Sequence, residues 1–106
     1  AGGHLLAFVR QDGALIGSIE LAIDKAVTAR ILEKATHDLA SLAQSGRPLF
    51  GIHGSNGGKV IIFGGGIPVV LKGSVVGAVG ASAGTVEEDV AVAEAGIAAL
   101  VVAATD

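Results

Sequence analysis

Lys59-Val-Ile-Ile-Phe-Gly-Gly-Gly-Ile-Pro-Val-Val-Leu-Lys-Gly-Ser-Val-Val-Gly-Ala-Val-Gly-Ala-Ser-Ala-Gly-Thr-Val-Glu-Glu88 is the stretch that decides the fold. Three apolar, β-prone runs at 59–63, 67–71 and 74–82 are separated by Gly64-Gly65-Gly66 and by Lys72-Gly73. Short apolar runs punctuated by turn residues at this spacing predict an antiparallel meander, with Lys72-Gly73 as a hairpin turn. Thr85-Val-Glu-Glu88 then has the form of a capping box. In that motif the hydroxyl accepts from the backbone N–H of the fourth residue, whose carboxylate reaches back to the first. Glu87 and Asp89 add negative charge where the helix dipole favours it. A helix is therefore expected to continue through Val90, Ala93, Ile97, Leu100 and Val101.

Working back toward the N-terminus, residues 4–10 form an apolar run between Gly2-Gly3 and Gln11-Asp12-Gly13 and read as a strand followed by a turn. Ser18 is an N-cap candidate for a helix of about 15 residues. Its apolar face would be Ile19, Ala22, Ile23, Ala26, Val27 and Ala29, with Asp24, Lys25 and Arg30 largely on the other side. Thr36 is a second N-cap candidate, for a short helix running to about Gln44 and stopping at Ser45-Gly46 before Pro48. The Gly-rich stretch 49–58, with Ile52-His53-Gly54-Ser55-Asn56, reads as a loop. The order strand, helix, helix, three strands, helix predicts an α+β domain with an antiparallel sheet.

Composition narrows the chemistry. The chain has 106 residues, 17 Gly, 51% hydrophobic residues and no Cys. The apolar excess excludes a disordered chain. The lack of Cys excludes a disulfide scaffold, a thiolate metal site and a cysteine nucleophile. The length suits one domain, residues 1–106, able to bury roughly 65% of its unfolded surface. Charged residues are only 16%, so some outer surface of so apolar a chain is expected to be covered in an oligomer. The net charge is −3, and the seven Lys and Arg are scattered between Arg10 and Lys72. That is not the basic patch of a nucleic-acid binder. No stretch supplies the roughly 20 apolar residues of a membrane span, and none reads as a signal peptide. A cytoplasmic protein without a membrane partner is the expectation. Ala1-Gly2-Gly3 reads as a turn, which implies residues ahead of it.

Three local patterns imitate chemical motifs. Gly80-Ala81-Ser82-Ala83-Gly84 matches a G-x-S-x-G nucleophile elbow, but His4, His37 and His53 all precede Ser82, the reverse of the order such hydrolases need. Gly54-Ser-Asn-Gly-Gly-Lys59-Val60 is one residue short of a P-loop and lacks the Mg²⁺-holding hydroxyl. Gly64-Gly65-Gly66-Ile67-Pro68-Val69 fails G-x-G-x-x-G at its last position. His53 is the best functional candidate of the three His, because it sits in a Gly-rich loop beside Ser55 and Asn56. The backbone N–H groups at Gly84 and Thr85 could bind an anion, though a Thr85–Glu88 capping box would already fill them.

The runs Gly57-Gly-Lys-Val-Ile-Ile-Phe-Gly-Gly-Gly-Ile-Pro68 and Val76-Gly-Ala-Val-Gly-Ala-Ser-Ala-Gly-Thr-Val-Glu-Glu-Asp89 resemble the GlcG/HbpS family, which includes the C-terminal domain of PduO-type proteins. Ala1-Gly2-Gly3-His4-Leu5 and the helix from Ser18 to Arg30 fit the same pattern. The resemblance implies a profilin-like three-layer α/β/α fold with a five-stranded antiparallel sheet. Four strands are readable here. The fifth, with a first helix, would precede Ala1 and be missing from this chain. The resemblance also implies a homo-oligomer and a small ligand, with haem or a related tetrapyrrole as cofactor. Ligation of haem by His would fall to His4, His37 or His53. No family motif for haem contacts is matched here; the candidate ligand-binding residues come from the Gly-rich loop, the triglycine turn and the last helix start: His53, Asn56, Gly64, Gly65, Gly66, Thr85 and Glu88. One alternative is a small accessory enzyme of organic-acid or diol catabolism with Glu88 or His53 as general base. Another is a structural oligomer with no ligand.

Overall fold

The computed structural model describes residues 2–9, 13, 15–82 and 84–105, with side chains up to residue 100. The elements are α1 (Gly17–Leu32), α2 (Thr36–Leu42), two single-turn 3₁₀ segments (Ile52–Gly54 and Asn56–Gly58), β1 (Gly66–Leu71), β2 (Ser74–Gly80) and α3 (Val86–Thr105). The result is a small mixed α/β fold around an antiparallel sheet.

β1 and β2 pair in the expected hairpin, from Gly66 opposite Gly80 to Leu71 opposite Ser74, with an irregularity between Val69 and Val70. Lys72 and Gly73 both have positive φ, 51° and 79°. That backbone matches the right-handed strand twist, which is why this dipeptide closes the turn. Successive residues on a strand face opposite ways. A Cβ on Gly80 would meet Ala22 and Ala26 of α1, whereas the Val79 side chain lies 3.6 Å from the Cβ position of Gly96 in α3. The hairpin is thus the middle layer, with α1 on one face and α3 on the other. The core beneath these contacts is small and aliphatic: Ala29, Leu39, Val60, Val69 and Ala93 are all buried.

The helix starts differ from expectation in an instructive way. Ser18 is not the N-cap of α1, which begins at Gly17 after Ile16 and carries Ser18 buried in its first turn. Thr36 is the first residue of α2 after Ala35, and its hydroxyl is engaged elsewhere. It accepts from the Gly66 N–H at 3.0 Å and lies 3.4 Å from the Gly66 carbonyl. Thr36 lies one position inside the helix, Ala35 holds the N-cap position, and no side chain caps the helix. Only Thr85 behaves as the spacing predicts: its N–H donates to Glu88 Oε1 at 2.8 Å, and the Glu88 N–H donates to Thr85 Oγ1 at 3.2 Å.

Two expected strands are not in the sheet among the described residues, so the five-stranded expectation is not met by them. Residues 59–63 are held by a helix side chain instead of a ladder. Thr28 Oγ1 of α1 accepts from the Ile61 N–H at 3.0 Å and reaches the Lys59 carbonyl at 3.2 Å, while Val60 is buried. Residues 4–9 have no sheet partner and are exposed, and Arg10, Gln11 and Asp12 lie outside the described residues.

Candidate functional site

The polar centre of the molecule is Lys25, which the helical pattern placed on an outer face and which the structure buries to 1% exposure. α1 turns the face that carries Asp24, Lys25, Thr28 and Ala29 inward, and the apolar stripe is only half-buried, the reverse of the expected arrangement. The Lys25 ammonium lies 2.9 Å from Asp89 Oδ2 of α3, donates to the Ala81 carbonyl at 3.0 Å, and sits 5.0 Å from the centroid of the Phe63 ring. The other Asp89 oxygen accepts from the Gly84 N–H at 3.0 Å. A buried charge is tolerated only when paired and hydrogen-bonded in this way. The cluster ties α1 to the start of α3 across the end of the hairpin.

Gly64, Gly65 and Gly66 are buried beside it. A Cβ on Gly65 would come within 2.8 Å of the Lys25 ammonium, and one on Gly64 would strike Val86 and Val90 of α3. The Gly65 carbonyl accepts from the Ala81 N–H at 2.9 Å. The triglycine turn is therefore a close crossing of chain against both helices. Thr85 and Glu88 lie exposed at the α3 start, and their polar atoms are used on each other.

His53 and Asn56 lie on the exposed 51–58 loop. The His53 ring stands edge-on to Phe50, with centroids 6.2 Å apart, and Phe50 is itself 55% exposed. Neither His53 nor His4 makes a hydrogen bond among the described residues, whereas His37 Nε2 lies 3.3 Å from Asp38 Oδ1. The structure thus groups Gly64–66 with Lys25, and Thr85 with Glu88, and keeps His53 and Asn56 on a loop of their own.

A cavity of about 1080 Å³ lies elsewhere. Its walls are residues 3–9, the apolar stripe of α1 from Ile19 to Arg30, the outer edge of β2, and Glu88, Val92 and Leu100 of α3. His53, Asn56, Gly64–66 and Thr85 are not among its lining; Glu88 and His4 are. Sequence reasoning missed this cavity because it assigned the α1 stripe to a filled core. Among the described residues no group of three His, Asp or Glu could hold a metal ion, and no helix is long and apolar enough to cross a membrane.

One carboxylate beside Lys25 is perturbed. Burial raises the Asp24 carboxyl above its ordinary 3.8, Glu20 one turn earlier adds to this, and Lys59 opposes it. A raised native pKa favours folding below the unfolded value, and that contribution is lost as pH rises through the native pKa. At neutral pH the ionised Asp24 therefore works against the fold. Asp24→Asn is expected to keep or raise the melting temperature at pH 7 and to flatten the decline above pH 3.8 that Asp24 causes. Thermal unfolding of both forms across pH 3–8 checks this; a lower melting temperature for the variant at pH 7 would contradict it.

Comparison with known proteins agrees with this architecture. A family model described as "Haem degrading protein HbpS-like" matches residues 1–98. An uncharacterized 15.0 kDa protein from the dhaT-dhaS intergenic region of Citrobacter freundii is 44% identical over 93 residues, covering 88% of this chain and 66% of that protein. The corrinoid adenosyltransferase PduO of Citrobacter freundii is 44% identical over 91 residues, covering 86% of this chain and 27% of that enzyme. The chain thus spans under two thirds of the first relative and about a quarter of the second. Among solved structures, that of a PduOC–haem complex superimposes with a TM-score of 0.88 at 40% identity, covering 92% of this chain and 70% of that one. With its hairpin, capping box and triglycine crossing in place, this chain belongs to the HbpS-like family.

Proposed function

We propose that this domain binds haem or a related tetrapyrrole as a self-associating unit. The observation that carries this is its likeness to the chain in the PduOC–haem complex, at 40% identity and a TM-score of 0.88. The low surface charge and the exposed apolar side chains, Phe50, Val92 and Leu100 among them, support burial against further copies.

The residues present fit such a group at the 51–58 loop. His53 offers an exposed imidazole with no hydrogen bond among the described residues, flanked by the Phe50 ring. A neutral imidazole is a haem ligand, and an aromatic edge suits the face of a flat macrocycle. Asn56 is exposed on the same loop, and Thr85 is exposed at the start of α3. Bound haem would supply an iron centre for ligation or redox chemistry; the chain's own part is to hold it. Gly64, Gly65 and Gly66 enter this site indirectly, by fixing the chain path that leads from the loop into β1. Glu88 as a general base is disfavoured, since its carboxylate already accepts from Thr85.

Haem titration followed by absorbance tests the proposal. A Soret shift at micromolar haem is expected, and its absence would overturn haem binding. His53→Ala is expected to weaken binding tenfold or more, with His4→Ala close to the parent. Loss in His4→Ala alone would move the ligand to the cavity mouth. A monomeric mass in light scattering, with and without haem, would overturn self-association.

The five-stranded, three-layer profilin-like sheet is proposed on the same footing. Two layers of helix on opposite faces of the hairpin support it.

A further inference from the structure

Asn56 is the only asparagine in the chain, and a glycine follows it. An Asn side-chain amide is open to attack by the backbone nitrogen of the next residue, because that attack closes a five-membered ring. A side chain on the next residue crowds the ring, and Gly has none. The two other side-chain amides, Gln11 and Gln44, would have to close a six-membered ring, which forms more slowly. The sequence thus concentrates this chemistry at one peptide bond, provided that the fold does not shield it.

The fold leaves it open. Asn56, Gly57 and Gly58 are all exposed. Neither the Asn56 side chain nor the Gly57 N–H makes a hydrogen bond among the described residues, so the attacking nitrogen is free. The Ser55 hydroxyl is turned away, donating to the Ile52 carbonyl at 2.6 Å. Two turn bonds span the site, from the Gly58 N–H to the Ser55 carbonyl at 3.0 Å and from the Lys59 N–H to the Asn56 carbonyl at 3.4 Å. Nothing lies within 4 Å of the Cβ position of Gly57 or of Gly58. Rotation that brings the Asn56 amide carbon over the Gly57 nitrogen therefore finds open space on that side.

We propose that Asn56-Gly57 is a self-modification site, at which the folded chain converts Asn56 to isoaspartate and aspartate with water as the only co-reactant. The Gly57 nitrogen gives its proton to solvent hydroxide and bonds to Asn56 Cγ. The Cγ–Nδ2 bond breaks, and Nδ2 takes up a proton and leaves as ammonia. Water then adds to one of the two carbonyls of the resulting succinimide, and the ring C–N bond opens. Opening at the main-chain carbonyl gives isoaspartate, which routes the backbone through the former side chain. Opening at the other gives aspartate. No step is an oxidation or a reduction. Either product places a carboxylate on the loop that carries His53, in a chain whose net charge is already −3.

The test holds the 106-residue chain in mildly alkaline buffer at body temperature, once folded and once in guanidinium chloride. Trypsin then releases the peptide ending at Lys59, which is followed by mass and charge. Pro48 blocks cleavage after Arg47, so this peptide reaches back past Gln44, an internal control. Acid is expected at Asn56 and not at Gln44, with isoaspartate the larger product. The folded rate is expected within about tenfold of the unfolded rate, since exposed loops open at almost no cost in free energy. Gly57→Ala is expected to slow conversion at least about tenfold in both states, so that its effect is read apart from the fold. A folded rate more than about tenfold below the unfolded one would overturn the proposal, because the loop would then be a shield. So would conversion of Gln44 ahead of Asn56, or a Gly57→Ala chain that matches the parent in guanidinium chloride. None of these readouts involves haem, so the modification site and the tetrapyrrole site stand or fall separately.

Discussion

Asp89→Ala is expected to lower stability by about 3–5 kcal/mol, since it leaves the Lys25 ammonium buried with only a carbonyl and a ring face. For a domain of this size that is a fall of about 20 °C in melting temperature. The argument rests on burial: Lys25 is 1% and Asp89 6% exposed, so water cannot replace a lost partner. Lys25→Met should cost a similar amount, because Asp89 would keep only the Gly84 N–H. The double variant Lys25→Met/Asp89→Leu is the informative one. Replacing both members of a buried pair with apolar groups of similar size is often near neutral. Its melting temperature is expected to recover most of the loss, giving a coupling energy that urea unfolding of the four forms can measure. A loss under about 1 kcal/mol in Asp89→Ala would mean the pair carries little of the fold, as at an exposed site.

What could be read in the sequence follows the range of each interaction. The Lys72-Gly73 turn and the Thr85–Glu88 box are local codes, complete within four residues, and both are present as expected. Ser18 and Thr36 are equally plausible caps by spacing. Yet Thr36 spends its hydroxyl on Gly66, 30 residues away, and nothing near it in sequence announces that. The same holds for Thr28, which pins Ile61 across 33 residues and displaces a strand ladder. Lys25 was misplaced for the strongest reason of this kind. A lone Lys on a helix normally reads as solvated, and its partner lies 64 residues on. Of the candidate site, the exposure of His53 and Asn56 was legible from a Gly-rich loop. The buried setting of Gly64–66 was not, because a triglycine looks the same whether it bends in solvent or threads between helices.

Gly66→Ala and Gly80→Ala are expected to be the most damaging single-methyl additions in the chain. A Cβ on Gly66 would fall on the Lys25 carbonyl and crowd Thr36 Cγ2 at 2.9 Å. One on Gly80 would fall on the Ala22 carbonyl and come 2.7 Å from the Ala26 amide. Both clashes are with α1 backbone inside its hydrogen-bonded turns, so no side-chain rotation can relieve them. Overpacking against flexible side chains costs about 1–3 kcal/mol; here the helix itself must lift off the sheet, and a loss of about 4 kcal/mol or more is expected. Gly77→Ala supplies the control within the same strand, since nothing lies within 4 Å of its Cβ position and a change within about 0.5 kcal/mol is expected. The two damaging variants should not be additive. Gly66 and Gly80 face each other across the hairpin and press on the same helix, so once α1 has shifted for one methyl the second finds room. Urea unfolding of both singles, the double and Gly77→Ala decides this. Equal, small losses at all three positions would mean that α1 is not seated on the hairpin by contact of backbone with backbone.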